Sequence, residues 1–497
     1  MGLNNTFKTY FLAAFAVVVL CLCACSEDEE FMDGSGASIE FSTDTVSFDT
    51  IFTNIGSATK TFKIYNRNNK GVRLSSVRLG SNGSSGFRVN LDGQYNTQFT
   101  DVEIYHEDSI FCFVEVTINP HDSDSPILIT DSLLFTLQNG RTQKVILQAF
   151  GQDAIVMRSE EITEDKTLDA RRPYIIYDSL VVRPGATLTI KEGTTLCFHA
   201  GASLAVHGQV IAKGTLEKPI IFRGDRLDNL LDYMPYDQTD AQWGGIHLYA
   251  ESQENVFDFC DIHGGSYGII TERSDPNEIK LTLTNSIVHN VAGDALRLRF
   301  CTADIGNSQI TNAKGYCVNI LGGDNQFVHC TIGQFYPWSG ECGSALNFTN
   351  FENDTIYPID RLVFYNSIIT GFKDDEVFGS RLADVDAAFN YLFDHCLVNT
   401  KTTEDDAPFF IECKIDTLGR KSSSKINPTD KDEKKPKDRE GNFRNFDYHL
   451  AVYDFRLDTL SVARGLGSGK NQLYPYDRRG VKRPEEHPDA GCYQFEL

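Results

Sequence analysis

Internal repetition is the strongest constraint on this chain. Six segments align on one pattern: a mostly polar position, then Cys or Ser, any residue, then an aliphatic residue. They are Phe259-Cys260-Asp261-Ile262, Asn285-Ser286-Ile287-Val288, Asn307-Ser308-Gln309-Ile310, His329-Cys330-Thr331-Ile332, Asn366-Ser367-Ile368-Ile369 and His395-Cys396-Leu397-Val398. The Cys/Ser positions are 26, 22, 22, 37 and 29 residues apart. A second column follows at Gly268-Ile269, Ala295-Leu296, Cys317-Val318 and Ala345-Leu346. A period near 22 with short strands and no helical pattern predicts an all-β, right-handed parallel β-helix. Each coil then holds about three strands, and coils stack roughly 4.8 Å apart. The small Cys and Ser and the branched Ile and Val should stack inside. The Asn/His column should line a bend, where side-chain amides can satisfy turn backbone groups. The longer intervals are coils with an extruded loop.

The stack starts before these six segments. Leu180 to Thr194 runs on into Leu204-Ala205-Val206-His207-Gly208, with Gly185, Gly193, Gly201 and Gly208 marking turns. This passage and Gln242-Trp243-Gly244-Gly245-Ile246 resemble the opening coils of Bacteroidetes lipoproteins with a pectin-lyase-like right-handed β-helix. Pro488-Asp489-Ala490-Gly491-Cys492-Tyr493 resembles their closing motif. The resemblance implies a β-helix over residues 154–497 with a C-terminal capping segment. The Lys/Asp/Ser-rich stretch near 418–440 reads as a solvated, mobile loop.

Residues 37–153 have a different rhythm. Short alternating strands such as Thr61-Phe62-Lys63-Ile64-Tyr65 and Phe113-Val114-Glu115-Val116-Thr117-Ile118 are separated by turn clusters such as Gln138-Asn139-Gly140. About seven such strands in just over a hundred residues suit an Ig-like β-sandwich. Gly56 and Asn66 fill the Gly and Asn places of a motif seen in bacterial Ig-like modules. With no catalytic set in it, this domain reads as a spacer.

Residues 1–24 read as an export signal, with Lys8 near the start and an apolar run from Tyr10 to Cys23. That run is short for a membrane span. Leu22-Cys23-Ala24-Cys25 resembles the bacterial lipobox, which implies lipidation of Cys25. Residues 25–36 form an acidic linker, and Ser26-Glu27-Asp28-Glu29-Glu30 resembles the signal that sends Bacteroidetes lipoproteins to the outer face of the outer membrane. The membrane is therefore one expected partner, reached through the lipid anchor. Triplets of Asp, then Ser or Thr, then an aliphatic residue, such as Asp131-Ser132-Leu133 and Asp354-Thr355-Ile356, resemble the O-glycosylation sequence of exported Bacteroidetes proteins. They are equally good turn chemistry.

The formal net charge of −23 argues against binding nucleic acid through its phosphates. No C-x-x-C pair occurs, so no metal site is expected from the cysteines. They read as small core hydrophobes, with disulfide pairing left open. No cofactor is expected. The acidic string Asp225, Asp228, Asp232, Asp237 and Asp240 is a candidate Ca²⁺ loop, but its irregular spacing favours a solvated loop.

The fold hosts pectate lyases, other polysaccharide-active enzymes and adhesins, so function must come from a site. Paired-carboxylate glycosidase motifs are absent. One constellation suits a lyase, which needs a base and charge neutralisation for a uronate. His263 and His289 hold the same place in adjacent coils, and Asp294, Arg297 and Arg299 follow. A face carrying them could hold an anionic sugar, or could be an ordinary solvated face. Aromatic loops offer a different site. Tyr233 and Tyr236 in one excursion, and Tyr336 and Trp338 in another, could stack on sugar rings. The preferred reading is a surface protein whose β-helix holds a glycan or other macromolecule without turnover. A polysaccharide lyase or hydrolase comes second and a structural spacer third.

Overall fold

The computed structural model describes residues 30–32, 36–231, 233–383, 386–402, 404–416, 439–448, 450, 452–471 and 473–496. The export signal, Cys25, most of the acidic run, Asp232 and nearly all of the 418–440 stretch lie outside them. The chain divides into two compact units, Met1–Gln152 and Asp153–Leu497.

Among the described residues of the first unit, a five-stranded and a six-stranded sheet share one apolar core. Alternation along the strands builds it. In Ser109–Val116 every second side chain is buried, including Cys112. Pairing within the sheets is mostly antiparallel, but Thr45–Phe52 runs parallel to Thr142–Gln152. Asn66 is fully buried, and its amide donates to the carbonyls of Lys70, Ile104 and Tyr105. One side chain thereby satisfies three loop carbonyls.

The second unit is a stack of coils, each contributing strands to three parallel ladders. One coil comprises Cys260–His263, Ile269–Thr271 and Ile279–Thr284. The next comprises Ile287–Val291, Leu296–Arg299 and Thr302–Gly306, and the one after that Gln309–Ala313, Val318–Leu321 and Gly323–Val328. Register runs straight through: Ile262 pairs with Val288 and Val288 with Ile310. The same holds for Ile269, Leu296 and Val318 in the second ladder, and for Leu283, Ile305 and Phe327 in the third. This is the all-β parallel β-helix that the repeat predicts.

The Asn/His column is the corner that leads into the first ladder. Phe259, Asn285, Asn307, His329, Asn366 and His395 all have φ between +49° and +55°. Asn and His tolerate this left-handed conformation better than branched residues do. Asn307 Nδ2 also donates to Asn285 Oδ1 at 2.7 Å, so the corner side chains link neighbouring coils.

The Cys/Ser column follows that corner and points inward. Ser286 Oγ accepts the Cys260 amide at 2.9 Å, Ser308 Oγ the Ser286 amide at 3.1 Å, and Ser367 Oγ the Cys330 amide at 3.0 Å. Each hydroxyl also donates to the carbonyl two residues before it, as Ser367 Oγ does to Tyr365. The thiols of Cys396 and Cys413 accept in the same way at 3.4 Å. Glu412-Cys413-Lys414-Ile415 is thus a seventh rung, with Glu412 at φ +46°. The ten cysteines among the described residues are free thiols, all buried except the half-buried Cys342 and Cys413.

The interior of the third ladder ends in a column of rings. Phe327, Phe364, Phe393 and Phe410 stack at 4.7, 4.9 and 4.9 Å, with interplanar angles of 15° or less. The C-terminal stretch lies along the side of the stack. Its hairpin, Phe443–Asp447 and Val452–Leu457, and residues Ala490, Cys492 and Tyr493 cover the apolar outer positions Ile368 and Leu397 of the first ladder and Phe335 just past its strand.

Removing a rung should leave a buried amide unsatisfied. Ser367→Ala should cost about 1–3 kcal/mol, whereas Ser367→Cys should cost clearly less, because cysteine already serves this column at other coils. Phe364→Ala, which opens a cavity in the ring stack, should cost about 3–5 kcal/mol. Urea unfolding midpoints measure all three. Equal losses for Ser367→Ala and Ser367→Cys would contradict the ladder.

Candidate functional site

Strands alternate their side chains, so Asp261 and His263 point out of the first ladder on either side of the inward Ile262. His263 pairs in register with His289 of the next coil, which places their rings 5.0 Å apart. His263 Nδ1 lies 2.8 Å from Asp261 Oδ1, and His289 Nε2 lies 3.2 Å from the same oxygen. The other nitrogen of His263, Nε2, lies 2.9 Å from Asp237 Oδ1. Asp237 sits in the single turn Tyr236–Gln238, on the long excursion between Ile220–Gly224 and Gly245–Leu248. Arg223 fixes that same oxygen at 2.9 Å. Below the cluster, Trp243 Nε1 donates to the His263 carbonyl at 2.8 Å and its ring stacks on Phe198 at 4.3 Å.

His263 is 6% exposed, and both of its nitrogens face carboxylates. Burial works against its charge, but Asp261 and Asp237 outweigh it and lift the imidazole to about 10. Burial likewise opposes the charge on Asp261, yet the two histidines hold it well below the usual carboxylate range. Asp237 is lowered against its own burial by His263 and Arg223. With both ring nitrogens protonated and engaged, His263 has no lone pair with which to act as a base. A metal ion taking the place of the Nδ1 proton would restore that lone pair as a ligand, and Asp261, His263 and His289 could then hold the ion together, for their ligand atoms lie within 4.8 Å of one another.

The arginines lie elsewhere. Arg297 pairs in register with Ile270 and Asn319 on the second ladder, not with either histidine. Between His289 and Arg297 the chain turns a corner at Asn290, with φ +52°. The expected single face of His263, His289 and Arg297 is therefore two faces. Arg297 Nε donates to Asp294 Oδ2 at 2.6 Å, and Asp294 also accepts the Asn319 amide and the Tyr316 N–H. Arg299 makes a two-pronged pair with Glu352. Both arginines line a hollow of about 380 Å³ with His247, Glu272, Arg273, Phe300 and Tyr357. Burial holds His247 below its ordinary value, although Glu272 at 3.3 Å works the other way. His247 and this hollow are absent from the sequence reading. The available signal was Gly245-Ile246-His247, which matches the second column at Gly268-Ile269 and so puts His247 two coils before Arg297.

The aromatic candidates divide. Tyr233 and Trp338 are exposed. Tyr236 lies beneath the Arg226 guanidinium, 3.9 Å from its ring centre. Tyr336 is buried and its hydroxyl donates to Asp240, so it is no exposed platform for a sugar, and packing decides this over the turn-rich sequence. The described carboxylates of the acidic string are spread over separate partners: Asp225 on His199, Asp228 on Arg226, Asp237 on His263 and Arg223, and Asp240 on Tyr336. A second hollow, of about 450 Å³, opens beside His289 and is lined by Gln238, Gln309, Thr311, Arg456 and Tyr493 among others.

Residues 160–274 match the family model of a pectate-lyase-like β-helix domain. The match includes Asp261 and His263 and ends before His289. No curated protein matches the chain. Among solved structures, the chain is similar to a family 123 glycoside hydrolase from Clostridium perfringens, described for glycolipid glycan hydrolysis. Identity is 9% and the TM-score 0.17, over 24% of this chain and 26% of that one. It is also similar to the ASH/PapD-like domain 7 of human CEP192. Here identity is 7% and the TM-score 0.17, over 26% of this chain and 96% of that one. The chain thus spans about a quarter of the glycoside hydrolase, and likeness at these TM-scores carries no argument.

The charge network fixes a pH dependence. The folded-state value of His263 is raised, so its contribution to stability is complete below 6.5, the ordinary value, and disappears as pH rises through about 10. Histidine ring resonances followed by NMR with a chelator present should show one imidazole titrating near 10. His263→Gln should remove both that resonance and the alkaline loss of stability. Titration of every histidine near neutrality would contradict the network.

Proposed function

We propose that this protein holds a glycan without turning it over, in the hollow formed by Arg273, Arg297, Arg299 and Tyr357. One observation carries the reading: the His263, Arg297 and Arg299 side chains that would serve chemistry on the histidine–arginine face are already engaged with carboxylates. His263 is held between two carboxylates, Arg297 lies on Asp294 and Arg299 on Glu352. The hollow still offers a half-buried ring at Tyr357, with an exposed guanidinium at Arg273. Ring faces and fixed polar groups are what sugar recognition uses. In this reading Cys25 carries the lipid, the protein stands on the outer face of the outer membrane, and the first unit is an Ig-like spacer.

A lyase is the second reading, favoured by His247. It lines the same hollow, and its lowered value keeps it in the neutral, basic form near pH 7.

A glycan array with the purified full chain, paired with a depolymerisation assay for unsaturated uronides, separates the two. Binding without product should appear, and Tyr357→Ala should weaken it by about tenfold, equivalent to about 1.4 kcal/mol. Trp338→Ala should leave it unchanged. Unsaturated product that vanishes in His247→Ala would replace the proposal with the lyase. Binding lost only in Trp338→Ala would move the site to the aromatic loop.

A further inference from the structure

We propose that Asp261, His263 and His289 form a binding site for a divalent transition metal ion of the zinc class. The site is independent of the glycan hollow, which lies on a different ladder. Among the described residues this is the one place where three metal-ligating side chains converge. The manner of convergence is informative. One oxygen of Asp261 lies between the two imidazoles, so a single point faces all three side chains. Both rings aim at Oδ1, at 2.8 and 3.2 Å. Donors around a tetrahedral ion, each about 2.0–2.1 Å from it, sit roughly 3.3 Å from one another. The two imidazole–carboxylate spacings already lie near that value, and all three ligand atoms fall within 4.8 Å of one another, so side-chain adjustment alone could close the set around an ion.

The surroundings are those of a supported site. A metal-ligating histidine usually gives its second N–H to a carboxylate, which fixes the ring and raises its basicity. His263 does this through Nε2 to Asp237, and Arg223 anchors Asp237 in turn. Trp243 holds the His263 backbone from beneath. Asp261 and His263 stand on one strand and His289 on the next coil, so rigid elements present the ligands. Two imidazoles and one carboxylate suit zinc-like ions. Calcium and magnesium favour all-oxygen sets. His289 lines the hollow of about 450 Å³, which gives an ion a way in and leaves room for a further ligand.

The purified full chain, stripped with chelator, is titrated with Zn²⁺ by calorimetry and with Co²⁺ by visible absorption. One equivalent should bind saturably, and Co²⁺ should show the intense band of a low-coordinate site. His289→Gln keeps an amide donor for Asp261 and should weaken binding at least about 100-fold, and Asp237→Asn about 10–100-fold. Circular dichroism verifies folding, and His263→Gln serves if His289→Gln fails to fold. No saturable binding overturns the proposal. So does one-equivalent binding that is undiminished in a folded ligand variant.

Discussion

From Cys260 to Cys413 the coil stack rests on one recurring interaction inside it: a serine hydroxyl or cysteine thiol that accepts a backbone N–H from the coil before. At the corner the chain leaves the extended conformation for the left-handed region, as at Asn285 and Asn366, so the amide that follows needs another acceptor. Left unsatisfied in the interior, it would cost about 1–3 kcal/mol. A small acceptor such as Ser286, Ser367 or Cys396 meets the need without disturbing the stack. Because the same atom also donates within its own coil, it locks neighbouring coils at one offset. A slip of one residue would break the column and turn the inward Ile and Val outward.

That locking has consequences on the surface. Parallel stacking sets equivalent positions side by side, so charges recur next to charges and need partners. The partners arrive from excursions and corners: Asp237 from the long loop onto His263, Asp294 from a corner onto Arg297, Glu352 from a hairpin onto Arg299. Apolar outer positions are dealt with differently. Phe335, Ile368 and Leu397 lie beneath the C-terminal segment. Two hollows among the described residues stay open, one beside Arg297 and Arg299 and one beside His289.

The coil stack was legible in the sequence because it is periodic. Six rungs and the Asn/His corner coincide with the observed register. The seventh rung at Cys413 escaped notice because it follows Cys396 by only 17 residues and carries Glu412 where the others carry mostly Asn or His. The closeness of His263 and His289 was equally legible, since spacing alone sets them one above the other. The two columns set His289 after the first and Arg297 after the second, yet the sequence reading places them on one face because spacing does not give the angle between ladders. The left-handed corner at Asn290 turns the chain between His289 and Arg297 and puts them on different faces. The reach of Asp237 to His263 is an excursion folding back, which leaves no periodic trace. Tyr336 shows the same limit, since its burial comes from packing and from its bond to Asp240.

Hydrogen exchange at the amides of Cys260, Ser286, Cys330 and Ser367 tests the internal ladder most directly. If side-chain acceptors hold these corner amides, they should exchange as slowly as the strand amides of Ile262, Val288 and Ile369. Exchange at the rate of an open turn, while the neighbouring strands stay protected, would contradict the ladder as the source of register.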